Sequence, residues 1–225
     1  MKRIGIVGGI SYESTLVYYE LICKKYYERY RDYSYPEIVI VSLNFEKFTN
    51  FENNDRTRYI EYLVEGIKSL ENAGAAFVIM AANSPHVVFD EVEKRAAVPL
   101  LSIVEVTAER AHQQGMKTLL LLGIKATMQS SVYQDVCKKH SITVIVPSPD
   151  QQDDIEKIIF EELVVGVIRE ESRTTICDII MGYDVDGVIL GCTELPLLVR
   201  QKDVDKGLLN TGEIHGEAAL DYALV

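Results

Sequence analysis

The chain has 225 residues, 48% of them hydrophobic and 25% charged, a balance that excludes a mostly disordered protein. Its 23 basic and 34 acidic residues give a formal net charge of −11. That argues against nucleic-acid or anionic-membrane partners, which need a basic footprint.

In chain order, Ile4–Val7 reads as a short β-branched strand ending at Gly8-Gly9, and a helix follows from Ser11–Ser14 to Tyr30. Ile38–Leu43 is a strand. Arg58–Leu70 places Tyr59, Leu63, Ile67 and Leu70 at helical spacing and ends near Gly74. Phe77–Met80 is a buried strand, and Val87–Arg95 a short helix stopped by Pro99. Leu100–Ile103 leads into a helix over Val104–Gln114, closed by Gly115. Then come a strand at Leu119–Leu122, a helix at Ser130–Lys139, a strand at Ile142–Val146, and helices at Ile155–Arg169 and Arg173–Met181. Val188–Leu190 is the last expected strand and Ile214–Ala223 a closing helix. Continuous apolar strands between amphipathic helices predict an α/β fold whose parallel sheet is covered on both faces. Ligands in such folds bind beyond the carboxyl ends of strands. No apolar stretch reaches the roughly 20 residues of a membrane span. The opening MKRIGIVGG lacks a signal-peptide pattern, so the expected location is the cytoplasm. The cysteines (Cys23, Cys137, Cys177 and Cys192) form no CxxC pair and read as thiols.

The chain also repeats itself. A shift of 114 sets Gly9-Ile10 on Gly123-Ile124, Tyr19 on Tyr133, Cys23 on Cys137 and Lys24-Lys25 on Lys138-Lys139. A shift of 110 sets Val78-Ile79 on Val188-Ile189 and Ala82-Asn83-Ser84 on Cys192-Thr193-Glu194. Ordered matches at nearly one offset point to duplication. The expectation is two pseudo-symmetric α/β lobes, 1–98 and 99–212, with a closing helix over 213–225 packing on the first and a cleft between them.

The segments after strands hold the candidate chemistry. Gly8-Gly9-Ile10-Ser11 reads either as an anion cradle or as a tight turn with Ser11 or Ser14 capping the helix. Cys192 follows a strand directly, where helix N-termini would favour its thiolate, and Glu194 can orient a base or bind an ammonium group. Cys23, Cys137 and Cys177 read as core. Asn83 and Ser84 offer an amide and a hydroxyl to a carboxylate, or cap the next helix. His86 is either a proton donor or structural, and His215 likewise. Lys125 and Thr127 add a charge and a hydroxyl, and Lys47, Arg56 and Arg58 are candidate partners for a side-chain carboxylate. No residue cluster has metal-ligand spacing.

Five segments together carry a family resemblance: GGISYEST near the N-terminus, IMAANSPH at 79–86, GIKATMQSSVY at 123–133, GCTELP at 191–196 and IHGEAA at 214–219. The chain resembles the aspartate/glutamate racemase family along nearly its whole length. The resemblance implies two lobes with the active site in the cleft between them, frequent homodimers, and racemisation at an amino-acid α-carbon without a cofactor. One cysteine thiolate would remove the α-proton while a second cysteine on the other lobe protonates the opposite face. Substrate-binding positions then fall on Ser11, Asn83, Ser84, Thr127 and Thr193. The first thiol is Cys192, but the second cysteine's position is Ala82, whose methyl group transfers no proton. Gly123-Ile124 also departs from the family's usual Gly-Thr. The remaining donors for the Ala82 face are water, Ser84 and His86. Two alternatives stand beside the racemase: a single-cysteine decarboxylase or isomerase of the same superfamily, and an amino-acid-binding protein without turnover.

Overall fold

The β-branched run at the start forms β1 (Ile4–Gly8), and α1 (Tyr12–Tyr30) follows it in the computed structural model, which describes residues 1–225. The chain continues through β2 (Ile38–Ser42), α2 (Phe45–Asn54), α3 (Arg56–Asn72), β3 (Phe77–Met80), a 3₁₀ turn at Ser84–Val88, α4 (Phe89–Glu93) and β4 (Leu100–Leu101). After α5 (Ile103–Gln113) come β5 (Thr118–Leu122), α6 (Lys125–Met128), α7 (Val132–Lys139), β6 (Thr143–Ile145), α8 (Pro149–Glu161) and α9 (Glu170–Met181). The last elements are β7 (Gly187–Leu190), α10 (Leu195–Leu198), β8 (Gly207–Asn210) and α11 (Thr211–Leu224).

The chain divides into two units, Met1–Ile103 with His215–Val225, and Val104–Ile214. The first holds a parallel sheet in the order β2-β1-β3-β4, the second a parallel sheet in the order β6-β5-β7-β8. The identical order is what a duplicated chain produces. The first unit runs a few residues past the expected boundary at 98, because Leu100 and Leu101 pair with Val78 and Ile79.

The core of the first unit follows from strand periodicity. Ile4, Ile6, Phe77 and Ile79 turn to one face, against Tyr18, Ile22 and Tyr26 of α1 and Ala219, Leu220 and Ala223 of α11. Val7, Val78 and Met80 turn to the other, against Phe48 of α2 and Leu63, Ile67 and Leu70 of α3. Each such fully buried aliphatic side chain contributes roughly 1.5–3 kcal/mol of transfer free energy. In the second unit Leu119–Leu122 and Val188–Leu190 are buried throughout. No helix is long and apolar enough to cross a membrane.

Several elements differ from the sequence expectation, among them the short helices α6 and α10, which it does not contain. The polar stretch FEKFTNFENN is helical, started by Asn44, whose side chain accepts from Lys47 N–H at 2.9 Å, although it buries only Phe48. α8 begins at Pro149 rather than at 155, because Ser148 and Gln151 form a capping box and Pro149 fits the first turn. It ends at Glu161 rather than running to 169, and the following 3₁₀ turn stops at Gly166 with φ 74°. β8, unmarked by any alternation, completes the second sheet.

Candidate functional site

In the first unit β1 runs into two glycines that only glycine can occupy. A Cβ on Gly8 would lie 2.5 Å from Thr15 Cγ2, and one on Gly9, at φ 74°, 2.3 Å from the Leu43 carbonyl oxygen. Gly9 N–H donates to Thr15 Oγ1 at 2.8 Å, and Ser11 Oγ accepts from Ser14 N–H at 3.1 Å. This turn therefore uses its groups internally: the Ser11 cap reading holds, and Gly9 N–H is not free to cradle an anion. Ser11 itself stands at φ 82°, ψ 154°, a region in which L side chains are strained.

The turn braces the next loop. Ser14 Oγ donates to the Ala81 carbonyl, and Ala81 N–H donates to Val7 O at 2.9 Å. His86 holds the following carbonyl, with Nδ1 donating to Ala82 O at 3.0 Å. Its Nε2 is 3.1 Å from Ile103 N–H. A backbone N–H can only donate, so Nε2 accepts and the ring proton is on Nδ1. Both nitrogens are engaged, and burial, with His215 nearby, pushes the His86 pKa down to about 3. His86 is thus a neutral brace and not a proton donor. His215 accepts from Tyr18 Oη at 2.9 Å and donates to Leu101 O at 2.9 Å, and burial lowers its pKa to about 4.

Asn83 and Ser84 are buried beyond β3, and the Asn83 side chain makes no capping bond to the 3₁₀ turn. Ala82 beside them is half-buried. Ser84 hydrogen-bonds the side chains of Glu52 and Tyr59, and Tyr59 Oη donates to Glu52 Oε1 at 2.8 Å. Burial raises the Glu52 pKa, with the two hydroxyls pulling it partly back. Glu52 and Tyr59 were not singled out as site residues by sequence. Glu52 rides on α2, the helix that hydrophobic spacing does not reveal.

In the second unit two glycines let strand-end loops touch backbone to backbone. A Cβ on Gly191 would lie 2.8 Å from Leu122 O, and one on Gly123 3.0 Å from Gly191 O. Gly191 N–H donates to Leu122 O at 2.6 Å, as Ala81 does to Val7 in the first unit. Thr127 packs beside Gly191, 1% exposed, and its Oγ1 has no hydrogen-bond partner. A buried hydroxyl without a partner is costly, and a bound oxygen atom would satisfy it.

Cys192 follows on the next residue. Its Sγ–H donates to Glu194 Oε2 at 3.0 Å, and Thr193 Oγ1 donates to the same oxygen at 2.8 Å. Glu194 is buried. Burial, and then the Glu194 charge, push the Cys192 thiol well above its ordinary pKa. The expected thiolate is therefore reversed: the group rests as a thiol hydrogen-bonded to Glu194. α10 is a single turn, too short for a dipole that would offset this.

The basic candidates stand differently. Lys125 pairs with Asp153 and Glu156, Arg56 with Glu91, and Arg58 with Glu61 at 3.2 Å. Lys47 lines an open hollow with Arg58, Tyr62, Glu61 and Glu65. Of the other cysteines, Cys137 is buried and pushed up to about 12 by burial, while Cys23 and Cys177 are only half-buried rather than core.

Residues 7–219 match the Asp/Glu/hydantoin racemase family. The chain belongs to that family. In this family member Ala82 and Cys192 hold corresponding strand-end positions of the two sheets. The chain is 30% identical over 145 residues to the broad specificity amino-acid racemase of Bacillus subtilis, covering 63% of this chain and 63% of the relative. The match thus spans less than two thirds of that curated relative. The crystal structure of an aspartate racemase homologue from Pyrococcus horikoshii superposes with a TM-score of 0.89 and 37% identity, covering 100% of both chains. Picrophilus torridus aspartate racemase gives a TM-score of 0.81 at 25% identity, covering 99% of this chain and 94% of the other.

Proposed function

We propose that this chain is a cofactor-independent amino-acid racemase acting at the α-carbon of an acidic amino acid, with Cys192 as its acid/base on one face. The Cys192–Glu194 hydrogen bond carries the reading, because it pairs a thiol with the carboxylate that can take its proton. In one direction Glu194 accepts the Sγ proton and the thiolate removes the substrate's α-proton. In the other the thiol donates directly to the α-carbanion. An α-proton is far less acidic than a thiol, whose reference pKa is about 8.5, so the carbanion needs hydrogen-bond donors around the substrate carboxylate. Thr127, Thr193, Asn83, Ser84 and Ser11 are assigned that role. We place the enzyme in the cytoplasm, and as a homodimer, the second of which light scattering on the purified protein checks.

The test is α-proton exchange in D2O with L- and D-aspartate and glutamate, followed by NMR and chiral chromatography, with Cys192→Ala alongside. Exchange with inversion that the variant loses supports the racemase. Loss of the second thiol at Ala82 favours one other reading, proton delivery to a single face as in a decarboxylase. That reading predicts no exchange with any of the four and decarboxylation of a substituted malonate. Binding that survives Cys192→Ala without any exchange would indicate a non-catalytic amino-acid binder.

A further inference from the structure

The racemase reading leaves the Ala82 face without an acid/base, and the first unit holds a half-buried carboxylate, Glu52, that the mechanism above does not use. Ser84 aligns with Glu194 in the internal repeat, at a shift of 110. In the second unit the carboxylate at this position receives Cys192 and Thr193. In the first unit a carboxylate arrives from another element: Glu52 of α2 receives Tyr59 at 2.8 Å and hydrogen-bonds Ser84. Both sheets thus present, just past the central strand, a proton-bearing side chain bonded to a shielded carboxylate. Tyr59 is 4% exposed and Ser84 7%, so the carboxylate is screened from water on the side of its partners. The titratable groups facing it are Tyr59 and, through Tyr59, Arg56, which is paired with Glu91.

We infer that Glu52 is the proton-exchanging partner of Ser84, and that the pair replaces the thiol absent from position 82. This rests on the racemase reading. When the substrate is protonated from this side, the Ser84 O–H bond breaks as the new Cα–H bond forms. The Glu52 carboxyl proton then passes to Ser84 Oγ, and Glu52 is left as a carboxylate that solvent reprotonates. In reverse, the α-proton moves to Ser84 Oγ as the Ser84 proton moves to Glu52. In this role Ser84 faces the α-carbon, leaving the substrate carboxylate to Thr127, Thr193, Asn83 and Ser11; Ser84 is catalytic, whereas Glu52 acts through it and is a positioning residue. Burial raises the Glu52 pKa, which fits a carboxyl that alternates between the two forms.

The test uses the full chain with Glu52→Gln, Glu52→Asp and Ser84→Ala. Infrared difference spectra against Glu52→Gln follow the Glu52 carboxyl band with pH. The band should titrate above the ordinary glutamate range and shift in Ser84→Ala. In D2O, Glu52→Gln should lose inversion by about a hundredfold while deuterium exchange at the Cys192 face continues, and Glu52→Asp should recover part of it. The pH dependence of inversion should lose the Glu52 limb in Glu52→Gln. Wild-type inversion in Glu52→Gln, or a band indifferent to Ser84→Ala, overturns the inference alone. A wild type that exchanges none of the amino acids overturns the racemase reading, and this use of Glu52 with it.

Discussion

Cys192 and Glu194 are joined by a thiol-to-carboxylate hydrogen bond of 3.0 Å, and this bond makes opposite demands on reactivity and turnover. The carboxylate raises the thiol pKa, yet in the proposed mechanism it is also the base that takes the thiol proton. Glu194→Gln should therefore lower the Cys192 pKa, so that the Cys192 peptide is alkylated by iodoacetamide faster at pH 8 than in the wild type. The same variant should lose turnover by roughly a hundredfold, the usual size of a lost acid–base partner. Peptide mass spectrometry measures the first and the D2O assay the second. A variant slower in both would mean that Glu194 only positions the loop.

Thr127 offers a sharper separation of stability from function. Its hydroxyl is buried without a partner, and such a group costs about 1–3 kcal/mol. Thr127→Val keeps the shape and removes that cost. It should raise the melting temperature while lowering kcat/KM about tenfold, the loss of about one good hydrogen bond to the substrate. A variant that melts lower would indicate that the hydroxyl is satisfied in the free protein.

The buried histidines predict an acid limit. Both are neutral in the folded state, with pKa values of about 3 for His86 and about 4 for His215, against about 6.5 unfolded. The unfolded chain therefore binds more protons below pH 6.5, and stability falls as pH falls through the window from 6.5 toward 4. At pH 5 each histidine costs about 2 kcal/mol relative to neutral pH. His215→Phe removes the bonds to Tyr18 and Leu101 and should lower stability at pH 7, but with a flatter decline toward pH 5. Thermal melts across pH 5–7.5 measure both slopes, and equal slopes would show that His215 does not titrate this way.

Much of this was legible in the sequence because the signals were local. The parallel strands appear as unbroken apolar runs, and the repeat aligns Ala82 with Cys192 before any coordinates are known. The glycines at 9, 123 and 191 mark close backbone contacts, and Gly8 a close contact with the Thr15 side chain. The site's electrostatics were less legible, because they depend on neighbours distant in the chain. Glu52 reaches Ser84 from a polar helix that buries only Phe48, so neither spacing nor composition marks it. The Cys192 proton was misassigned because a strand-end cysteine suggests a helix dipole, whereas here the following helix is one turn long and a carboxylate is two residues away. His86 stays open in the sequence between proton donor and structural residue, because nothing in NSPH shows that Ile103 will donate to its ring.

Restoring the missing thiol gives the last prediction. Ala82 is half-buried, and its backbone is held by the neighbouring Ser14–Ala81 bond and by His86, so the loop that would carry the new thiol is anchored. Ala82→Cys supplies a stronger base than a serine relayed to a carboxyl, and inversion should rise about tenfold or more in both directions. The proton path should change with it. In the Ala82→Cys background, Glu52→Gln should no longer reduce inversion, because the new thiol has taken over from Ser84. The four rates (wild type, each single variant and the double) form a double-mutant cycle. Strong coupling between positions 52 and 82 places both residues on one proton route. Additive effects would mean that Glu52 supports the loop and moves no proton.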